Sequence, residues 1–282
     1  MKPAKAISLR PARCRTVVVI GFLLICAAAR AFADDASSKL DALIAGPQRS
    51  EQNRVRDPYR HPRETLAFFG LRDDMTVVEI WPGGAGWWTE ILAPYLVEHG
   101  RLYEALPDPA SSDEARNGDA AFRAKTAAAP SVYGKVIVTT LSTGAEEIAP
   151  DGTADLVLTF RNLHDWVPRG TAEANLRAMY RALKPGGILG IEDHRASAAQ
   201  PQDPQAKSGY LREDFTIALV ESAGFKFVAK SEVNANPKDT KDYPGGVWTL
   251  PPTLRLKDED RAKYLAIGES DRYTMKFMKP EP

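Results

Sequence analysis

Residues Val77–Gly86 read VVEIWPGGAG, a β-branched run that ends in a glutamate and is followed by a glycine-rich turn. This order predicts a strand, a tight turn and the start of a helix. Glycine tolerates a positive φ and lets a ligand approach the main chain, and the first N–H groups of a helix have no partner within it. A glycine-rich turn alone is weak evidence for a nucleotide-like ligand, but its position after the first strand of an alternating pattern strengthens that interpretation.

Outward from this segment, short apolar runs alternate with helical patterns, which is typical of βαβ units and a mainly parallel sheet. We therefore predict an α/β, Rossmann-like fold with a seven-stranded, mainly parallel sheet and helices on both faces. The predicted strands are Thr76–Trp81, Arg101–Ala105, Lys135–Thr140, Asp155–Phe160, Ile188–Glu192, Phe225–Ser231 and Tyr273–Lys279. The predicted helices are Ser38–Ile44, Arg63–Phe69, Gly86–Glu98, Ala172–Leu183 and Arg212–Ala223. Pro94 is expected to bend or interrupt the third of these helices.

The N-terminus has the three parts of a secretory signal peptide. Five basic residues lie between Met1 and Arg15, an apolar run follows from Thr16 to Ala29, and Ala31-Phe32-Ala33 is a small-x-small cleavage pattern. We predict a signal peptide over residues 1–33, a single domain over 34–282, and a periplasmic or secreted protein. The apolar run is short for a membrane span, which needs roughly 20 residues, so an uncleaved anchor is the less favoured alternative.

Charge and cysteine content exclude several classes. The whole chain has 37 basic and 37 acidic residues, and six of the basic residues lie within 1–33, so the remaining chain has a net charge of about −6. Nucleic-acid binding depends on basic phosphate contacts, so no nucleic-acid partner is expected. Both cysteines, Cys14 and Cys26, fall in the predicted signal peptide. The remaining chain can form neither a disulfide nor a thiolate metal site.

The glycine-rich segment resembles the first motif of the class I S-adenosylmethionine-dependent methyltransferases. The turn Leu183–Gly187 and the strand that begins Ala154–Val157 resemble further landmarks of that family. More closely, Glu79–Tyr95, Phe160–Trp166 and Gly246–Pro252 are similar to a bacterial family of exported methyltransferases with no established substrate.

The resemblance implies S-adenosylmethionine as the cofactor and a set of contacts to it. The residues expected to bind the cofactor are Glu79, Trp81, Gly83, Gly84, Gly86, Glu104, Asp108, Arg161 and Asn162. Trp81 stands where the family has its first glycine, and either narrows the pocket or makes a cation–π contact with the sulfonium. Leu106 stands where an acid usually holds the ribose hydroxyls, so Glu104 or Asp108 is expected to replace it.

Histidines and acids follow the fourth and fifth predicted strands. His164 lies just after Phe160, and Asp193 and His194 follow Glu192. Ligands of open parallel sheets bind beyond the carboxyl ends of the strands, so these three residues are the predicted catalytic group, with a histidine accepting a substrate proton. The alternatives are that His164 caps the loop and His194 bonds to the main chain, or that the cluster binds a divalent metal through nitrogen and oxygen ligands.

The favoured function is methyl transfer from S-adenosylmethionine to a small or medium-sized molecule, with no stable membrane insertion after signal cleavage. An exported binding protein that retains the fold without activity is one alternative, because an exported protein meets little S-adenosylmethionine and its glycine motif is altered. A metal-assisted hydrolase using His164, Asp193 and His194 is the other.

Overall fold

Seven strands form one sheet in the computed structural model, which describes residues 38–144 and 146–282. The strands are β1 (Thr76–Ile80), β2 (Arg101–Leu106), β3 (Ile137–Thr140), β4 (Ala154–Phe160), β5 (Leu183–His194), β6 (Lys226–Ser231) and β7 (Arg272–Met278). Their order across the sheet is β3-β2-β1-β4-β5-β7-β6. The pairs from β3 to β5 are parallel, whereas β7 runs antiparallel to both β5 and β6. The predicted α/β sheet, mainly parallel and seven-stranded, is confirmed.

Helices cover both faces of this sheet. They are α1 (38–44), α2 (Glu51–Arg54), α3 (Asp57–Arg60), α4 (Pro62–Phe69), α5 (Thr89–Leu96), α6 (Asp113–Ala128), α7 (Pro130–Tyr133), α8 (Leu163–Arg169), α9 (Ala172–Ala182), α10 (Glu213–Ser222) and α11 (Arg261–Ile267), with a short 3₁₀ helix at Gly246–Thr249. Residues Leu40–Pro282 form one compact unit. The predicted signal peptide lies outside the described residues. Within the described part of the chain, no helix is long and apolar enough to span a membrane.

Alternating side chains of the central strands build a core on each face. Val78 and Ile80 pack with residues of α8, α9 and α10 on one face, and Val77 packs with residues of α4, α5 and α7 on the other. Most of β4 is buried because it lies in the middle of the sheet. Each fully buried aliphatic side chain contributes about 1.5–3 kcal/mol to folding, so these two layers hold the carboxyl ends of β1, β4 and β5 in place.

Two local predictions need correction. Pro94 does not interrupt α5, although it has no N–H to donate to the carbonyl of Glu90. The side-chain amide of Gln48 donates to that carbonyl instead, at 3.4 Å. No helix is predicted from the sequence directly after β4, yet Leu163–Arg169 is a helix, so His164 sits in the first turn of α8. Pro168 lies in the last turn of this short helix and has no N–H to donate to the carbonyl of His164.

Candidate active site

The turn between β1 and α5 presents an open main chain. Gly83 has a φ of 69°, and a Cβ built on it would meet nothing within 4 Å. Among the described residues, the N–H groups of Gly83 and Gly84 have no hydrogen-bond acceptor. Gly84 lies against α6, where an added Cβ would come within 3.1 Å of Ala121 Cβ. The turn therefore offers free donors to a ligand on one side and packs closely on the other.

A cavity of about 600 Å³ opens beside this turn. That volume is in the range of small-molecule sites. Its walls come from the turn after β1, from the end of β2, from α6 and α8, and from the 3₁₀ helix and the segment after it. The lining residues are Trp81, Gly83, Gly84, Leu106, Pro107, Ser111, Ser112, Glu114, Ala115, Gly118, Asn162, Asp165, Arg169, Trp248, Thr253 and Arg255. The hollow for a nucleoside-sized ligand is therefore present.

Trp81 forms one wall of this cavity and does not fill it. Its φ of 51° lies in the left-handed region, which explains why a glycine would suit the position. The indole N–H donates to Leu141 O at 2.9 Å, and the ring meets Trp166 edge-on at 5.4 Å between centroids. The Arg169 guanidinium lies 5.7 Å from the same ring. The indole is thus held from several sides, which stabilises the unusual backbone.

Glu79 and Glu104 form a buried carboxyl pair next to the cavity and do not line it. They are register partners on β1 and β2, both almost completely buried, and Thr89 Oγ1 donates to Glu79 Oε2 at 3.0 Å. Burial raises the pKa of Glu79 to about 7. Burial and the neighbouring charge of Glu79 raise the pKa of Glu104 well above its ordinary value. The raised pKa values mean that the pair retains a proton near neutral pH.

The expected contact of Glu104 or Asp108 with a ribose is not supported by their placement. Glu104 is buried on the face of the sheet that carries α5, and Asp108 accepts the N–H of Ala110 at 2.8 Å, closing its own loop. Ser111, Ser112 and Glu114, just before and at the start of α6, are polar residues that line the cavity on this side. Sequence reasoning missed them because the motif points only to the end of β2.

His164 and Asp193 form a buried dyad at the carboxyl ends of β4 and β5. His164 Nδ1 lies 2.8 Å from Asp193 Oδ1, and the His164 main-chain N–H donates to Asp193 Oδ2 at 3.1 Å. Burial lowers the pKa of His164, but the charge and hydrogen bond of Asp193 outweigh it, so the pKa is raised above its ordinary value. A proton on Nδ1 leaves Nε2 as an acceptor, 3.8 Å from Asp165 Oδ2. Because Asp165 and Trp248 line the cavity and contact His164, this base lies directly behind the cavity wall.

His194 has a different environment. Its ring lies 4.7 Å from that of His164, and its Nδ1 is 2.6 Å from Ser270 Oγ. Burial, together with the positive charges of His164 and nearby arginines, lowers the pKa of His194 well below its ordinary value. The pKa values of the two histidines therefore shift in opposite directions, and His194 stays neutral. Sequence reasoning missed Ser270 because it comes from the loop before β7.

The same three residues have the composition of a metal site. One possible ligand atom from each of His164, Asp193 and His194 lies within 4.8 Å of the others. However, Asp193 Oδ1 already accepts from the His194 main-chain N–H at 2.7 Å as well as facing His164 Nδ1, and Oδ2 accepts a third N–H. With both oxygens engaged, the geometry favours a hydrogen-bonded dyad over a metal centre.

Asn162 and Arg161, predicted together as cofactor contacts, separate in the structure. Asn162 Nδ2 donates to Ile80 O at 2.9 Å and to Thr159 Oγ1 at 3.1 Å, which fixes its side chain in the cavity wall. Arg161 has a φ of 60° and is absent from the lining among the described residues. Its charge instead acts on Glu269 and other arginines.

Solved structures share this architecture. A SAM-dependent methyltransferase from Aquifex aeolicus aligns with a TM-score of 0.53 at 19% identity, over 86% of this chain and 98% of its own. The chain has the class I methyltransferase fold. The [4+2]-cyclase SpnF aligns with a TM-score of 0.56 at 14% identity, over 79% of this chain and 82% of its own.

A third structure with the class I methyltransferase fold is phosphoethanolamine N-methyltransferase 2 of Haemonchus contortus in complex with S-adenosyl-L-methionine. It aligns with a TM-score of 0.54 at 13% identity, over 79% of this chain and 53% of its own. No protein-family model matches the chain, and no curated protein matches it by sequence. At these identities the likeness establishes the fold, and the activity has to be argued from the site.

Proposed function

We propose that this protein transfers a methyl group from S-adenosylmethionine to a small molecule. The observation that carries the proposal is the cavity of about 600 Å³ beside Gly83, at the carboxyl ends of the strands of a class I methyltransferase fold. Ligands of open α/β sheets bind at this edge. Solved structures with this fold include proteins described as SAM-dependent methyltransferases and one described in complex with S-adenosyl-L-methionine.

The residues around the cavity fit the chemical parts of the cofactor. The free N–H groups of Gly83 and Gly84 suit the polar methionine end, and Arg169 and Arg255 offer cations to a carboxylate. The face of Trp81 suits a sulfonium. Ser112 and Glu114 supply hydroxyl and carboxylate partners for ribose hydroxyls. Glu79 and Glu104 are not among the residues that line the cavity, so no direct contact with the cofactor is assigned to them.

Bound S-adenosylmethionine supplies an activated methyl group, so the protein needs chiefly to align the acceptor and exclude water. The His164–Asp193 dyad adds a base. Asp193 orients the imidazole through Nδ1, and Nε2, which lies 3.8 Å from Asp165 Oδ2 of the cavity wall, accepts the proton of the attacking group at that wall. His194 stays neutral beside it and adds no competing positive charge.

The two alternatives from the sequence gain no support from this geometry. A binding protein that had lost its pocket would be expected to fill the cavity, and Trp81 leaves it open. A metal-assisted hydrolase needs free ligand atoms, and the Asp193 oxygens are engaged. Export, to the periplasm or out of the cell, remains part of the proposal, based on the predicted signal peptide.

Calorimetric titration of the purified protein with S-adenosylhomocysteine tests the proposal. We expect saturable binding in the micromolar range, because the product retains every recognised group except the methyl. The matched titration with adenosine alone should bind more weakly, since the methionine end is missing. Absence of binding at millimolar S-adenosylhomocysteine would remove the enzymatic assignment and leave only the fold.

A further inference from the structure

Four arginines converge behind the two histidines. This arginine cluster consists of Arg56 and Arg60 at the two ends of α3, Arg161 at the end of β4, and Arg272 at the start of β7. Arg60 and Arg272 are only 2% and 1% exposed. Burying several like charges is costly unless anions compensate them.

Two carboxylates of the described residues lie within the cluster. Glu269 Oε1 accepts from Arg56 Nε at 2.6 Å, and its Oε2 lies 3.1 Å from Arg272 Nη1. Glu192 Oε1 lies 3.0 Å from the same Arg272 nitrogen. Burial alone would raise the pKa of Glu269, but the charges of the four arginines have the larger, opposite effect. They lower this pKa to about 2, so the carboxylate is ionised at neutral pH. Four cations still face two anions.

Several guanidinium donors of the cluster have no hydrogen-bond acceptor among the described residues. They include Arg60 Nε and Nη2, Arg161 Nε and Arg272 Nε. Arg60 Nε lies 3.5 Å from Glu269 Oε2, an ion pair without a hydrogen bond. Each buried, unpaired donor costs about 1–3 kcal/mol, and more when charged. The guanidinium of Arg60 is nonetheless fixed in place, 4.7 Å from the centre of the Trp87 ring.

The cluster adjoins the proposed base, and one of its members, Arg272, lines a surface cavity. Arg161 lies three residues before His164, and its main-chain N–H donates to Glu192 O at 2.7 Å. The charges of Arg161, Arg272 and Arg60 act on His194. A surface cavity of about 210 Å³ is lined by Glu269, Arg272 and Ser270, and Ser270 is the residue that contacts His194.

We propose that Arg60 and Arg161 bind a carboxylate or phosphate group of the small molecule whose nucleophile His164 deprotonates. This inference rests on the proposed function and assigns an anionic class to the methyl acceptor. A guanidinium presents paired N–H donors that match both kinds of anion, and a bound anion would satisfy the orphaned donors and offset the excess positive charge.

The test is thermal unfolding of the purified protein in sodium phosphate and in sodium chloride at equal ionic strength. Inorganic phosphate is the probe. The variants are Arg161→Gln, Arg161→Lys and Arg60→Gln, and the control is Arg177→Gln, an exposed arginine on α9 that pairs with Glu173. We expect phosphate to raise the Tm of the unmodified protein and of the control by several degrees. Arg161→Lys should retain part of this rise, and the two glutamine variants should lose most of it.

Each outcome of this experiment either supports or contradicts anion binding by Arg60 and Arg161. The proposal is overturned if phosphate stabilises Arg161→Gln and Arg60→Gln as much as the unmodified protein, or stabilises none of them. Should a glutamine variant fail to fold, the comparison of Arg161→Lys with the control decides the matter. Calorimetry with S-adenosylhomocysteine on the same samples keeps the two proposals apart, because its cavity lies beside Gly83. If the unmodified protein does not bind S-adenosylhomocysteine, the proposed methyltransferase function is contradicted. If it binds S-adenosylhomocysteine but phosphate does not raise its Tm, only the proposal of an anionic methyl acceptor is contradicted.

Discussion

Asp193 binds His164 twice, once through the imidazole Nδ1 at 2.8 Å and once through the main-chain N–H at 3.1 Å. The carboxylate at the end of β5 therefore sets both the position of the ring and the first turn of α8. This double contact couples the protonation of the histidine to the geometry of the strand edge, and it leads to the first prediction.

NMR titration should resolve the protonation of the two central histidines. The chain has four histidines, so each ring signal can be assigned by single substitution. We expect the pKa of His164 above 6.5 and that of His194 well below it. Asp193→Asn should lower the pKa of His164, because the raising charge is removed. His99→Gln, on an exposed histidine, should leave both values unchanged. A His164 pKa that does not respond to Asp193→Asn would contradict the dyad.

The raised pKa of His164 predicts how methyl transfer depends on pH. His164 accepts a proton only when neutral, so methyl transfer should rise as the pH increases through a value above 6.5. His164→Gln should reduce turnover by about 10²- to 10⁴-fold, the usual contribution of a general base, while S-adenosylhomocysteine binding is retained. A variant with unchanged turnover would show that alignment alone suffices.

Gly118 allows the cavity to be closed without disturbing the glycine turn. It lies on α6 in the cavity wall, and a Cβ there would meet nothing within 4 Å. Gly118→Leu should fill part of the cavity and weaken S-adenosylhomocysteine binding at least tenfold. Gly118→Ala is the matched control, because both substitutions raise helix propensity by about 1 kcal/mol and alanine occupies far less space. Calorimetry that finds equal affinity for the two variants would place the ligand elsewhere.

Trp81 can be tested for contact with a sulfonium. S-adenosylmethionine carries the positive charge and S-adenosylhomocysteine lacks it, so a cation–π contact affects only the first. Trp81→Leu should weaken S-adenosylmethionine binding about 2- to 30-fold more than S-adenosylhomocysteine binding, corresponding to roughly 0.5–2 kcal/mol. Leucine, like tryptophan, adopts a left-handed backbone only with strain, so the conformational strain at position 81 is similar in the unmodified protein and in the variant. An equal loss for both ligands would mean that the indole serves only as a wall.

The buried Glu79–Glu104 pair predicts stability that falls with rising pH. A carboxyl with a raised pKa holds its proton in the folded state where the unfolded chain has lost it, so the free energy of unfolding decreases from about pH 4.5 through neutrality. Glu104→Gln should remove much of this slope and make the protein more stable at pH 8, because glutamine stays neutral beside Glu79.

Urea unfolding at pH 5 and pH 8 measures the effect of Glu104→Gln. The exposed Glu259→Gln serves as the control and should follow the unmodified protein. If Glu104→Gln were less stable than the unmodified protein at pH 8, the two carboxyls would not repel each other in the fold.

The fold was readable from the sequence because its elements have strong local signals. The predicted strands lie within two residues of the observed ones at nearly every end, since β-branched runs bounded by turn residues encode buried parallel strands. The exception is β5, which begins at Leu183 and includes the expected turn over Lys184–Gly187. Pairing with β4, with a register shift between Ala154 and Leu156, extends this strand.

Only part of the candidate site could be predicted from the sequence. Convergence of His164, Asp193 and His194 followed from strand ends meeting at one edge, and the structure brings them together. By contrast, Arg272 contacts Tyr59, 213 positions earlier in the chain, and Trp248 and Arg255 reach the cavity from the 3₁₀ helix and the segment after it. No local pattern encodes such contacts, because they depend on how distant segments pack. Glu104 was expected to contact the ribose, but its position on β2 directs its side chain to the face of the sheet that α5 covers.

The antiparallel position of β7 has a consequence for biosynthesis. This strand is translated last among the seven, yet it separates β5 from β6 and pairs with both. A ribosome-bound chain lacking residues Arg272–Met278 cannot join β6 to the rest of the sheet, and Arg272 cannot yet neutralise Glu192. Truncation before Arg272 should therefore yield insoluble or degraded product, and the nascent chain should stay loosely folded until β7 has left the ribosome.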